Sequence, residues 1–161
     1  MERNYTDAVP FPESVEFEPI ARIVSPFTER HGTPRQPGFN PKPNEVPGQG
    51  SVVLLDHIPT EALRDLEGFD RVWLITYLHL NGPGSRPLVR PPRGGPKRGL
   101  FSTRAPHRPN ALGLSAVRLL AVQGRTLVVA ELDLLNDTPV LDIKPYIADF
   151  DAFPTAGRGW L

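Results

Sequence analysis

The stretch LGLSAVRLLAVQGRTLVVAELDLL, residues 112–135, decides the fold class. Two apolar runs, Leu112 to Val122 and Thr126 to Leu135, flank Gln123-Gly124-Arg125, read here as a three-residue turn with glycine. Apolar runs bounded by such a turn form a β-hairpin. Working outward, Arg71 to His79 is rich in aromatic and β-branched residues and predicts another strand. Ser51 to Leu55 predicts a short one. Val15 to Val24 alternates apolar and polar residues and predicts an edge strand that tolerates Pro19. Pro59 to Leu66 predicts a helix of about two turns, with Pro59 in its first turn and Gly68 just past its end. Residues 28–50 and 81–99 read as long loops. Twenty prolines and fourteen glycines argue against a helical bundle, because proline removes a backbone donor and breaks helix interiors. The class is mainly β.

A length of 161 residues fits one domain with one core. No apolar run approaches the length of a membrane span. The polar, proline-containing start, Met1 to Glu13, does not read as a secretory signal. The absence of cysteine excludes disulfides, thiolate zinc sites and cysteine nucleophiles, and it fits a reducing, cytoplasmic setting. The net charge of zero hides an asymmetry. Between Asp70 and Glu131 there is no acid, and those sixty positions hold ten bases; the other 101 residues hold eight bases and eighteen acids. A +10 block favours polyanions, nucleic acid above all, unless the acids of both ends fold back onto it.

Several chemistries lack their motifs. There is no Walker phosphate loop, no HExxH and no GxSxG. Gly82 to Pro87 resembles a dinucleotide loop only superficially, with proline in the last place. The four histidines lack metal-ligand spacing, so no metal is expected. Three patches stand out. His31 to Pro37 is a proline-stiffened loop presenting Arg35 and Gln36. Gly99 to Ser115 clamps Arg104, His107, Arg108 and Asn110 between two prolines, and arginine's planar fork suits carboxylates and phosphates. Leu132 to Tyr146 alternates carboxylates with leucines, so some carboxylates should be partly buried and need donors, with Arg104, Arg108 and Lys144 as candidates.

Read together, IARIVSPF (20–27), TPRQPG (33–38), LEGFDRVWL (66–74), VRPPR (89–93), FSTRAPHRPN (101–110) and TPVLDIKPY (138–146) resemble the TsaA-like (TrmO, YaeB, VirR) family of S-adenosylmethionine-dependent methyltransferases. The resemblance runs from about residue 17 to 150. It implies a single-sheeted closed β-barrel with short helices and long Pro/Gly-rich loops, working as a homodimer with its cofactor, S-adenosyl-L-methionine, near the subunit interface. It implies N6-methylation of threonylcarbamoyladenosine at position 37, in the anticodon loop of tRNA. Carried over by position, it suggests cofactor contacts from Pro34, Arg35, Gln36, His79, Leu80, Arg104, Leu114, Leu132, Asp133, Leu134 and Leu135. It departs at Asn136-Asp137-Thr138-Pro139, where the family has glycine in place of Asp137; aspartate tolerates left-handed backbone better than most residues. Longer members carry a further C-terminal domain, whereas this sequence stops at Leu161, so a short form is expected.

The expected organisation is an arm (1–15), a barrel domain (16–154) and a tail (155–161). A conjugated amine is a poor nucleophile and needs an acceptor for its proton; Asp142 and Asp133 are the candidates, with a backbone carbonyl as the alternative. Tyr146 or Trp73 could stack on a base. Arg90, Arg93, Arg98 and Arg108 are the expected phosphate contacts. Two other classes remain open: a methyltransferase acting on another RNA or a small molecule, and a non-catalytic barrel that binds RNA or a nucleotide.

Overall fold

The computed structural model describes residues 11–37, 48–82, 84–92 and 94–161. Among these, the strands are β1 (Ala21–Val24), β2 (Gly50–Leu54), β3 (Arg71–Tyr77), β4 (Leu88–Val89), β5 (Arg98–Gly99), β6 (Leu112–Gln123), β7 (Thr126–Ala130) and β8 (Pro139–Pro145). Six of them close an antiparallel barrel in the order β1-β2-β7-β6-β3-β8, with β8 pairing back onto β1.

Alternation drives the closure. In β3, Val72, Leu74 and Thr76 are fully buried, while Arg71, Trp73 and Ile75 are only partly covered. Ile23, Val52, Val117, Leu127, Val129 and Val140 complete the inner set, all without exposed surface. Each such aliphatic side chain is worth about 1.5–3 kcal/mol when taken out of water. The fold therefore rests on this inner row and not on the proline-rich connections. β6 is long because it serves two neighbours. Leu112 to Arg118 pair with β3, and Arg118 to Gln123 pair with β7.

Several expected elements change form. The strand expected from Val15 begins only at Ala21; Pro19 has no N–H to give a ladder, and residues 11–19 are exposed. The expected helix over Pro59–Leu66 is replaced by two 3-10 turns, Thr60–Leu63 and Leu66–Gly68. Asp65 between them is left-handed, at φ 65°, which interrupts helical continuity. The loop at 81–99 carries the two-stranded β4–β5 lobe. The hairpin turn has two residues, since Gln123 pairs with Thr126, and Gly124 takes φ 59°. The run expected to reach Leu135 stops at Ala130, where Glu131 turns left-handed at φ 61°. Residues 1–10 of the expected arm lie outside the described residues.

Antiparallel order sorts the connections. Those after β1, β3 and β7 leave one end of the barrel, and those after β2 and β6 leave the other. All three sequence patches begin at the first end.

Candidate functional site

At that first end the chain brings three loops together. Arg104 donates from Nη1 to Gln36 Oε1 at 2.7 Å, joining the 100–110 loop to the 33–37 loop. The latter is stiffened locally: Thr33 Oγ1 donates to Glu29 O at 2.7 Å, and Gln36 Nε2 to Arg35 O at 2.7 Å. The third loop follows from the left-handed Glu131. Leu132 and Leu134 then insert into the core, 0% and 5% exposed, and alternation sends Asp133 the other way. There Ser115 Oγ donates to Asp133 Oδ1 at 2.7 Å. Burial pushes the Asp133 carboxyl above the usual carboxylate value, while the Ser115 hydroxyl, its own backbone N–H and the Arg104 charge hold it back. The loop is pinned from the far side as well. Leu132 N donates to Gly48 O at 3.1 Å, and Ser25 Oγ to Leu134 O at 2.9 Å.

The segment after β3 joins the same end. Leu78 N donates to Ala111 O at 2.7 Å and Asn81 Nδ2 to Pro106 O at 3.3 Å, so His79 and Leu80 project, exposed, beside the 104–110 loop. Leu114 is 61% exposed on the outer face of β6. A guanidinium, an amide, a half-buried carboxylate and the exposed Leu80 thus share one barrel mouth, with Leu114 on the outer wall of the same end. Such a set can grip a zwitterionic amino-acid moiety and cover an apolar ring.

The family described as tRNA-methyltransferase O N-terminal domain matches residues 22–152 of this sequence. The chain belongs to that family. The tRNA (adenine(37)-N6)-methyltransferase of Escherichia coli strain K12 is 37% identical over 155 residues, covering 91% of this chain and 64% of its own length. The Homo sapiens protein of the same name is 41% identical over 137 residues, covering 84% of this chain and 31% of its own. The probable S-adenosyl-L-methionine-binding protein of Methanothermobacter thermautotrophicus is 38% identical over 140 residues, 86% of this chain and 94% of its own. A crystal structure of TrmO aligns with a TM-score of 0.75 at 38% identity over 91% of this chain and 64% of that one. The chain therefore spans about a third of the length of the mammalian relatives it matches.

Within this TrmO-type barrel, the expected residues divide. Gln36, Arg104 and Asp133 converge, with Pro34 and Arg35 on the same loop as Gln36. The side chains of Leu132 and Leu134 are committed to the core, and Leu132 N and Leu134 O are already bonded to Gly48 and Ser25, which leaves Leu132 O, Leu134 N and the half-buried Leu135 for any ligand. Asp142 is not with Asp133. It stands opposite Ile75 on the outside of β8, where Lys144 Nζ lies 2.9 Å from one oxygen and Ile143 N donates to the other at 2.9 Å. Tyr146 packs against Trp73, ring centroids 5.5 Å apart.

The expected phosphate contacts divide too. Arg90 is exposed, and Arg93 lies outside the described residues. Arg108 is turned inward onto its own loop, donating to Thr103 O at 3.0 Å and Ala105 O at 3.4 Å above the Phe101 ring. Arg98 lies under the Trp160 ring. Among the described residues, Arg71 is the one base of the block ion-paired to a carboxylate, Glu131, at 2.7 Å. Backbone carbonyls take a larger share, as with Arg125, which donates to Leu55 O, Asp56 O and Ile58 O. Ser115 and Glu131 were given no role from sequence. A serine at an inward position of an apolar strand was the available signal for Ser115; Glu131 offered none. Among the described residues no group of three or more His, Asp or Glu side chains could hold a metal, and no helix is long and apolar enough to cross a membrane.

Proposed function

We propose that this chain is an S-adenosylmethionine-dependent methyltransferase that methylates N6 of threonylcarbamoyladenosine at position 37, in the anticodon loop of tRNA, in the cytoplasm. The observation that carries the reading is the convergence of Gln36, Arg104 and Asp133 at one barrel mouth, in a family whose relatives bear the names of that activity and that cofactor. S-adenosylmethionine supplies an electrophilic methyl group when bound. The donor set fits it: Arg104 and Gln36 suit its carboxylate, Asp133 suits its cationic side, and Leu80 and Leu114 offer apolar cover for its adenine.

Of the two carboxylate candidates for the proton on the acceptor amine, Asp133 is favoured. Its raised pKa makes it the better acceptor, and one of its oxygens is left over by Ser115. Asp142 is held by Lys144, and Tyr146 by Trp73. With the methyl donor bound, Asp133 would receive the proton that the amine gives up on methylation. Holding amine and methyl in line is the main contribution of the protein. We further infer a twofold homodimer through the outer faces of β3 and β6, where Tyr77, Leu112 and Leu114 are exposed beside the site.

The test is methyl transfer from labelled cofactor to tRNA that carries threonylcarbamoyladenosine at position 37 without the added methyl group and, separately, to a pool of small metabolites. Label at adenosine 37 is expected. Label only in small molecules, or RNA binding with no transfer, would overturn the reading.

A further inference from the structure

The C-terminal segment returns to the basic lobe at one point. Trp160 donates from Nε1 to Ser102 O at 2.9 Å, and the Arg98 guanidinium lies 5.1 Å from the centre of its ring. Neighbouring tail residues Phe153 and Leu161 remain 72% and 81% exposed, whereas Trp160 is only 36% exposed. A cavity of about 420 Å³ opens alongside, lined by Pro87, Gly99, Leu100, Phe101 and Pro109.

This pair of contacts has a particular chemistry. A flat ring lies against a guanidinium plane while an N–H on its edge meets a fixed carbonyl. An amine-bearing nucleobase offers the same two features, and single-stranded RNA is read by stacking on such planes together with edge hydrogen bonds. One group is left over. Arg98 Nε is buried and has no hydrogen-bond partner among the described residues. Indole cannot supply one, because it has a donor and no acceptor. A nucleotide brings phosphate and ribose oxygens that can. The exposed Arg86, Arg90 and Lys97 lie on the same lobe, so the surroundings are cationic.

We propose that Arg98 and the Ser102 carbonyl form a subsite for an unpaired, amine-bearing base of the RNA, and that Trp160 occupies it in the free protein. The inference rests on the RNA reading above. It gives the tail a role as a removable placeholder, so RNA binding must displace the indole.

The experiment follows the Trp160 indole N–H by NMR while heptaadenylate RNA is added to the full chain. The signal is expected to leave its hydrogen-bonded position as the RNA saturates. Trp160→Ala should bind the RNA about threefold more tightly, because the competing state is gone. Trp160→Phe, which keeps the ring and loses the donor, should fall between. Arg98→Lys keeps the charge and loses the plane, so affinity should drop by about tenfold. An indole signal unmoved at saturation would overturn the proposal, as would unchanged or weaker binding by Trp160→Ala; the latter would make Trp160 a plain structural clamp. Methyl transfer to tRNA by the parent separates the two levels. Transfer with an unmoved indole sinks the subsite alone, and absence of any RNA binding sinks both.

Discussion

Asp133 is pulled in two directions. Burial disfavours its charge, and Ser115, its own amide and Arg104 favour it, with burial the larger effect. The folded carboxyl therefore keeps its proton to a higher pH than the unfolded one. Between those two values the native state holds more protons, so stability falls as pH rises through that window and stays reduced at neutral pH. Asp133→Asn removes the cost while its amide oxygen can still accept from Ser115. The variant should melt at or above the parent temperature at pH 7, with the difference disappearing below the ordinary carboxylate range. Its affinity for S-adenosylhomocysteine should nevertheless drop by about tenfold or more, because a hydrogen bond or ion pair to a charged group is lost. Thermal melts across pH together with calorimetry check both halves. Retained cofactor affinity would remove Asp133 from the site.

Strands carry the next level. Gly113 faces Thr76 across the β3–β6 ladder, and a Cβ there would sit 2.5 Å from Thr76 Oγ1 and 3.1 Å from Leu78 Cδ2. Gly113→Ala should therefore cost about 1–3 kcal/mol by overpacking, measured by denaturant unfolding, whereas Gly68→Ala, with open space around it, should cost far less. Such positions also show what was legible beforehand. The aromatic and β-branched content of residues 71–79 announced β3, and the apolar run of residues 112–122 before a glycine turn announced β6. The ends of elements were not legible. Glu131 and Asp65 stop a strand and a helical turn by adopting left-handed backbone that nothing local demands of them. Asp137 was the exception, expected to tolerate left-handed backbone and found at φ 60°. In the site, Arg104 and Gln36 were legible as rigid polar groups on stiff loops. Ser115 was not, since its partner lies eighteen positions away through a kink.

At the scale of the molecule, two surfaces invite tests. Leu114→Asp places a charge on the exposed outer face of β6, where it leaves the inner row untouched. It should shift the protein from dimer to monomer in light scattering at micromolar concentration, without lowering its melting temperature by more than a few degrees. A parent that is already monomeric would refute the dimer. The basic block contains arginines of two kinds. Arg90→Ala should weaken RNA binding alike across sequences and reduce its salt dependence by about one unit of slope. Arg108→Ala should instead loosen the 101–108 loop, because its guanidinium holds Thr103 O and Ala105 O. Equal salt slopes for Arg90→Ala and the parent would detach the lobe from RNA. The early stop of β7 has a consequence for motion. Among the described residues, β6 from Leu112 to Val117 has a strand on its β3 side only; on the other, side-chain contacts such as Ser115 on Asp133 fasten it like separate stitches. A seam closed by stitches opens one at a time, without unzipping a ladder. Amide protons of residues 132–135 should trade with deuterium long before those of Val72 to Leu74, and their slowing on ligand addition would time the closing of the barrel wall.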